Sequence, residues 1–466
     1  MTAATSSLGW RDLLAEGRAA RVGLIALGVW LNAADSLVTT TIMPSVARDL
    51  GGYAYFSWAT AAYMVGAILS GATAARFSAR FGLRRAMIWA GFATAAGCGV
   101  SALAPDMLTL VVGRSVQGLG AGWIVGACYA AIGQVFPQRH LARVFGVMTS
   151  IWGIATVLGP LVGAVFAQGS HWRWLFWFFA AQCLAFVASA RRMLPGDAAP
   201  AVDARTPGMQ LALVLAGVGL IGAADLAGDA WIAGALCLAS LVVFAAAMRL
   251  QAGPHGLFPA SAGDVTTVTG VAYLSYFALG AAAMGFSVYG PALLQKLYGF
   301  SPMLAGYAVG LESVGWTISA LAVAGLEPRW HPPFIRLGGA CVACSLAALA
   351  MVTRAGPIWA ILAAATVLGA GFGLTSGFIA RRVIASADEG EREVASAGIN
   401  SVRQVGNAAG ACLAGIIANL LGMAEGVALA PARATAVWLF ALSTPIALVG
   451  AIACWRVASA KLAEEV

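Results

Sequence analysis

Four ionisable side chains stand alone in long apolar runs: Asp35, Arg114, Glu312 and Arg403. Between Arg21 and Arg48 the only charged residue is Asp35. An isolated charge in an apolar helix costs about 2.5–3.5 kcal/mol to insert into a membrane, so such residues face an interior and mark a pathway. A carboxylate's pKa rises on desolvation and falls beside a guanidinium. An acid that alternates between a wet and a paired state can therefore take up and release a proton. Polar neighbours at helical spacing extend each position. Asn32, Asp35 and Thr39 share one face, Arg114 and Gln117 another, Glu312 and Trp316 a third, and Asn400, Arg403 and Asn407 a fourth.

The elements that carry these residues follow from composition. The chain of 466 residues is 61% hydrophobic and 10% charged, where a soluble domain has about 25% charged residues. That composition defines an integral membrane protein, and the continuous apolar runs that follow make it all-α. Apolar runs of helical length are expected at 22–46, 54–75, 86–104, 107–132, 144–168, 174–190, 209–226, 230–248, 267–294, 303–325, 334–353, 357–379, 394–422 and 434–455. About 20 residues span the hydrocarbon, and continuous runs exclude the alternating pattern of a barrel. The pair at 209–226 and 230–248 is the weakest, because its first member is short and ends at Asp225.

With the N-terminus inside, the inner segments hold twenty Arg and Lys residues and the outer loops only Arg48, Arg173, Lys296, Arg354 and Arg433. This bias sets both termini on the cytoplasmic side and agrees with an even number of spans. The net charge of +8 then reflects orientation and anionic lipid, not a nucleic-acid surface. No cleavable leader is expected, since the first apolar run is long enough to span. Cys341 and Cys344 form a CxxC inside an apolar helix, with no second pair, and read as packing residues. The four histidines make no ligand cluster, and no metal or cofactor is expected.

At about 1.5 Å per residue, Asp35 lies roughly 20 Å from the inner boundary and Arg114 roughly 10 Å from the outer one. In a core about 30 Å thick these depths coincide. Glu312 and Arg403 both come out roughly 15 Å deep. One acid and one arginine are thus placed to meet within each half, or across the halves. The longer inner segments 191–208 and 249–266 flank the two middle spans. The division is a cytoplasmic segment 1–21, a six-helix bundle 22–190, a linker region 191–266 with two additional helices, a second six-helix bundle 267–455, and a tail 456–466. Paired six-span halves are a common transporter architecture, with substrate bound between them.

Several motifs resemble those of the major facilitator superfamily. In "ARFSARFGLRR" (75–85), Arg80, Gly82, Arg84 and Arg85 match its inner-loop signature, whereas Ala79 stands where aspartate is usual. "RSVQGLGAG" (114–122) matches its R-x-x-Q-G-x-G pattern. Gly146, followed by "GPLVGA" with Gly159, Pro160 and Gly163, is similar to the glycine-proline pattern of antiporters. Asp35 and Pro44, with "INSVRQVGNAAG" (399–410), resemble the fourteen-helix drug:proton antiporter branch. The resemblance implies that fold, with two extra central helices and fourteen spans. It also implies gating by Arg80, Gly82, Arg84, Arg85, Gly146, Gly159, Pro160 and Gly163. Without an acid at position 79, the inner latch lacks its partner, and the stretch "DEGERE" (388–393) offers substitutes.

The expected function is export of amphipathic or drug-like molecules in exchange for protons by a monomer in a bacterial inner membrane, among membrane lipids. Asp35, Arg114, Glu312 and Arg403 serve proton coupling. Asn32, Gln117, Glu312, Trp316 and Asn400 meet the substrate. Glu312 is not supplied by the resemblance, and an acid there suits a cation or polar head group. No P-loop lysine motif is present, so the proton gradient is the expected energy source. A lipid, glycolipid or metabolite exporter on the same scaffold remains the alternative. A membrane enzyme or a non-transporting sensor lacks the catalytic cluster or soluble signalling domain it needs.

Overall fold

The computed structural model describes residues 18–136, 138–167, 171–194, 208–250, 256–353 and 356–460. Among them lie fourteen α-helices of 18 residues or more and no strand. They are α1 (Arg18–Leu50), α2 (Trp58–Phe81), α3 (Leu83–Ala102), α4 (Met107–Val135), α5 (Gln138–Ala167), α6 (Trp172–Met193) and α7 (Gly208–Asp225). They continue as α8 (Ala230–Arg249), α9 (Val268–Tyr298), α10 (Pro302–Val323), α11 (His331–Val352), α12 (Ile358–Ser386), α13 (Arg392–Leu420) and α14 (Leu429–Ser459). Local chemistry sets several starts. Asp106 accepts from the Thr109 N–H, Asp229 from the Trp231 and Ile232 N–H groups, and Thr267 from Gly270. Ser301 accepts from Leu304, with proline at the first helical position. Each cap satisfies amides that the helix itself leaves unbonded.

Ten segments among the described residues are long and apolar enough to cross a membrane, including both α7 and α8. Helices α2, α3, α10 and α13 are not among them. Helices α2 and α3 carry the basic residues Arg76, Arg80, Arg84 and Arg85, and α10 and α13 carry Glu312 and the Asn400–Arg403–Asn407 stripe, which lower their mean hydropathy. Large apolar side chains face outward, Trp231 at 88% exposure and Trp174, Trp359 and Trp455 above one half. Exposed aromatics near helix ends suit a membrane interface.

The segment 76–85, expected to be a loop, is helical on both sides of a single residue. Arg76 to Phe81 completes α2, and Leu83 begins α3. Basic side chains near water do not stop a helix. Gly82 does, with φ +85°, a value that disfavours any Cβ.

The first six and last six helices pack by the same scheme. Helix α1 packs on α5 and α6, as α9 packs on α13 and α14. Helix α4 lies on α2 and α3, as α12 lies on α10 and α11, while α3 meets α6 as α11 meets α14. Between the two sets, α5 packs on α10 and α2 on α13. Helices α7 and α8 form a hairpin that docks α7 on α13 and α2.

Candidate functional site

Asp35 and Arg114 meet. The Arg114 Nη1 donates to both carboxylate oxygens of Asp35, at 2.9 and 2.7 Å, with side-chain exposures of 2% for Arg114 and 7% for Asp35. The guanidinium also donates to the Ala59 carbonyl (3.2 Å) and to Gln117 Oε1 (3.2 Å). It lies 4.4 Å from the Tyr63 ring centroid, a cation–π contact. The Tyr63 hydroxyl donates to Asn32 Oδ1 at 2.8 Å. Gln117 is fixed further by Ser101, which donates to Oε1, and by its own donation to Cys98 Sγ. A narrow cavity with room for about one water molecule touches Asn32, Asp35, Tyr63, Cys98 and Gln117. Thr39 Oγ1, one turn beyond Asp35, is buried without a hydrogen-bond partner. This is a buried acid whose charge is held by one guanidinium beside a small void.

The other acid and arginine do not bond to each other. Glu312 is partly buried on α10 and accepts from Ser287 Oγ at 3.1 Å. Arg403 donates to Asn400 Oδ1 at 3.1 Å and sits 5.9 Å from the Trp316 ring centroid. Trp316 stacks on Phe372 at 5.2 Å. The expected Glu312–Arg403 pair is thus replaced by a chain from Asn400 through Arg403 to the Trp316 face. Equal depth was insufficient because α10 lies against α12 and α5, while α13 lies against α9 and α2. Trp316 combines a packed face with a face toward a cation.

The glycine-proline residues lie where helices approach closely. A Cβ on Gly159 would stand 2.9 Å from Leu37 Cβ, and one on Gly163 2.8 Å from Thr41 Cβ, both on α1. Pro160 faces the other half, since a Cβ on Gly306 of α10 would meet Pro160 Cβ at 2.9 Å. Gly146 lies within α5. Arg80 lies in the last turn of α2, its guanidinium 5.5 Å from the Phe81 ring centroid, and Arg84 and Arg85 lie in the first turn of α3. Of the acidic stretch, Glu391 is buried and accepts from the Ala260 N–H at 3.0 Å, while Asp388 and Glu389 are exposed.

The two halves touch at the end away from Arg80, Arg84 and Arg85. Phe56 stacks on Tyr289 at 5.1 Å, and Asn419 Nδ2 donates to the Ala54 carbonyl at 3.0 Å. Beside them lies an acid not among the expected site residues. Asp225, 3% exposed, accepts from Ser57 and Asn419. Its position at the end of an apolar run reads as an interfacial residue, so the sequence signal is weak.

Two similarly packed six-helix sets with charged groups buried between helices define a secondary-transporter fold. Residues 25–411 match the Major Facilitator Superfamily, and the chain belongs to that family. It is 30% identical to a probable multidrug-efflux transporter of Mycobacterium tuberculosis, over 98% of each chain. Multidrug resistance protein 3 of Bacillus subtilis is 29% identical over 34% of this chain and 30% of its own. Among solved structures, a bacterial homolog of the human lysosomal transporter Spinster, inward-facing and unoccupied, aligns with a TM-score of 0.68 at 13% identity, over 95% of this chain and 97% of that one. A D-xylose-proton symporter aligns at 0.62 and 16% identity, over 91% and 96%. These two likenesses bear on the fold alone.

Proposed function

We propose that the chain exports amphipathic, drug-like molecules in exchange for protons, by alternating access between residues 22–190 and 267–455, with 191–266 as an added hairpin. The carrying observation is the buried Asp35–Arg114 pair beside a water-sized void. Similarity to a probable multidrug-efflux transporter over nearly the whole chain supports the cargo class. In this reading Asp35 binds the proton and Arg114 stabilises the deprotonated state. Protonation removes the charge attraction, and the freed guanidinium retains Ala59, Gln117 and Tyr63. Asn32 and Gln117 connect that event to the substrate path, and Glu312, Trp316, Asn400 and Arg403 meet the cargo in the second half. The basic end faces the cytoplasm of a bacterial inner membrane, and fourteen helices span it. Contacts at the opposite end then correspond to an outward-closed state. The test is uptake of a fluorescent cationic dye into proteoliposomes under an imposed proton gradient. Dye movement that ignores the gradient overturns the coupling.

A further inference from the structure

We propose that Asp225 is the residue through which the α7–α8 hairpin enters the transport cycle, by tying the two halves together and holding the gate opposite the basic end shut. The proposal rests on the alternating-access reading above. Asp225 Oδ2 accepts from Ser57 Oγ at 2.6 Å, and Oδ1 accepts from Asn419 Nδ2 at 2.8 Å. Ser57 immediately precedes α2 in the first half, and Asn419 is the penultimate residue of α13 in the second. One carboxylate, from a helix that belongs to neither half, therefore bonds both. Asn419 Nδ2 also reaches the backbone carbonyls of Asp225 (3.2 Å) and Ala54 (3.0 Å), so all three parts of the chain converge on one amide.

Three details distinguish this arrangement from incidental polar packing. First, Ser57 occupies the N-cap position of α2 yet makes no side-chain cap bond. Serine there ordinarily accepts from its own helix. Its hydroxyl is directed to Asp225 instead. Second, the approach of α13 requires glycine. A Cβ on Gly415 would stand 2.3 Å from Ser57 Oγ and 2.4 Å from Asp225 Oδ2. Third, among the described residues no Lys or Arg reaches Asp225 within 4.0 Å. Its named bonds come from neutral donors, so an acid is buried where an uncharged acceptor would satisfy packing. Burying an acid without a cation is costly, and the bonds it gains here are those that close the gate. The Phe56–Tyr289 stack lies in the next position along the chain and supplies the apolar part of the same seal.

Spin labels at Leu103 and Glu425 sit on the two halves at this end, both exposed. Placed in a background without the native cysteines, they read gate distance by pulsed dipolar spectroscopy. Asp225→Ala is expected to raise the ratio of open to closed distances about tenfold, since two hydrogen bonds across the gate are lost. The pair Ser57→Ala with Asn419→Ala is expected to do the same without touching the acid. Asp225→Asn keeps an acceptor for Asn419 and falls between. If Asp225→Ala does not fold, the Ser57/Asn419 double variant carries the test. Unchanged distances in that folded double variant, with only a lower melting temperature, make Asp225 a static brace and overturn the proposal. The measurement needs neither substrate nor gradient. Intact proton-driven export with unmoved distances therefore rejects the gate role alone. A gate that opens as expected in a protein that moves no compound rejects the transport reading instead.

Discussion

Both oxygens of the Asp35 carboxylate accept from one guanidinium nitrogen, Arg114 Nη1, so the charge at position 35 is the feature to remove. Asp35→Asn keeps the shape of the site and removes the charge that Arg114 holds. We expect proton-driven export to fall to background while the protein inserts and elutes as wild type. Full export in this variant, with unchanged dependence on pH, would refute the coupling role. Glu312 calls for a different test, because its hydrogen bond is to Ser287 and it has no cation partner among the described residues. Glu312→Gln should weaken export of cationic compounds about tenfold, equivalent to about 1.4 kcal/mol, and spare neutral ones. Equal losses for both kinds of cargo count against a cation site. At this scale the sequence was most legible where a residue is chemically out of place. Asp35, Arg114, Glu312 and Arg403 stand out as charges in apolar runs, and depth brings the first two to one level. Tyr63, which bridges Asn32 and the Arg114 guanidinium, was not legible. A tyrosine in a membrane helix has many ordinary uses, and only its neighbours across the chain reveal this one.

Helices were legible because a membrane demands a minimum apolar length, and their meeting points were not. Glycines decide where two helices approach, and 57 of them offer too many options. Gly369 is one whose role is plain. A Cβ there would overlap the backbone oxygen of Glu312, so α12 lies directly on the turn of α10 that bears the acid. Neither partner can move a flexible side chain aside, since the obstacle is main chain. Gly369→Ala should destabilise by about 1–3 kcal/mol, as overpacking usually does, and should displace Glu312 from Ser287. Gly377 in the same helix has nothing within 4 Å of a built Cβ. Gly377→Ala is therefore the control, neutral or slightly stabilising. Thermal melting of the two variants in detergent separates them, and equal melting temperatures contradict the contact. Helix ends were misread for a related reason. Apolar runs stop at the membrane boundary, but hydrogen-bonded backbone continues into water, so α2 extends through Arg76 and Arg80 until Gly82 ends it.

For the whole molecule, the expected six-two-six division rests on the longer inner segments 191–208 and 249–266 around the middle pair, and the helices pack as two similar sets of six with α7 and α8 as a hairpin. The choice of which end is closed was not legible, because one sequence supports both states and only a small free-energy difference selects between them. The Phe56–Tyr289, Asn419–Ala54 and Pro160–Gly306 approaches all lie at the end away from Arg80, Arg84 and Arg85. Ala79, in the last turn of α2, stands where the family resemblance places an aspartate. Among the candidate substitutes, the Glu393 side chain lies outside the described residues and Glu391 is already bonded to the Ala260 N–H, which leaves the exposed Asp388 and Glu389. An exposed pair contributes about 0–1 kcal/mol, too little to fix a state. Ala79→Asp restores an acid beside Arg80 and should favour closure at the basic end, shifting the population toward the outward-open form. A gain of about 1.4 kcal/mol would change the ratio tenfold. Spin labels at Arg191 and Ile384, one on each half at the basic end and both exposed, report the shift as a growing short-distance population. If the distances in Ala79→Asp match those of the wild type, the latch is absent from this protein and the basic residues serve only to orient the chain in the membrane.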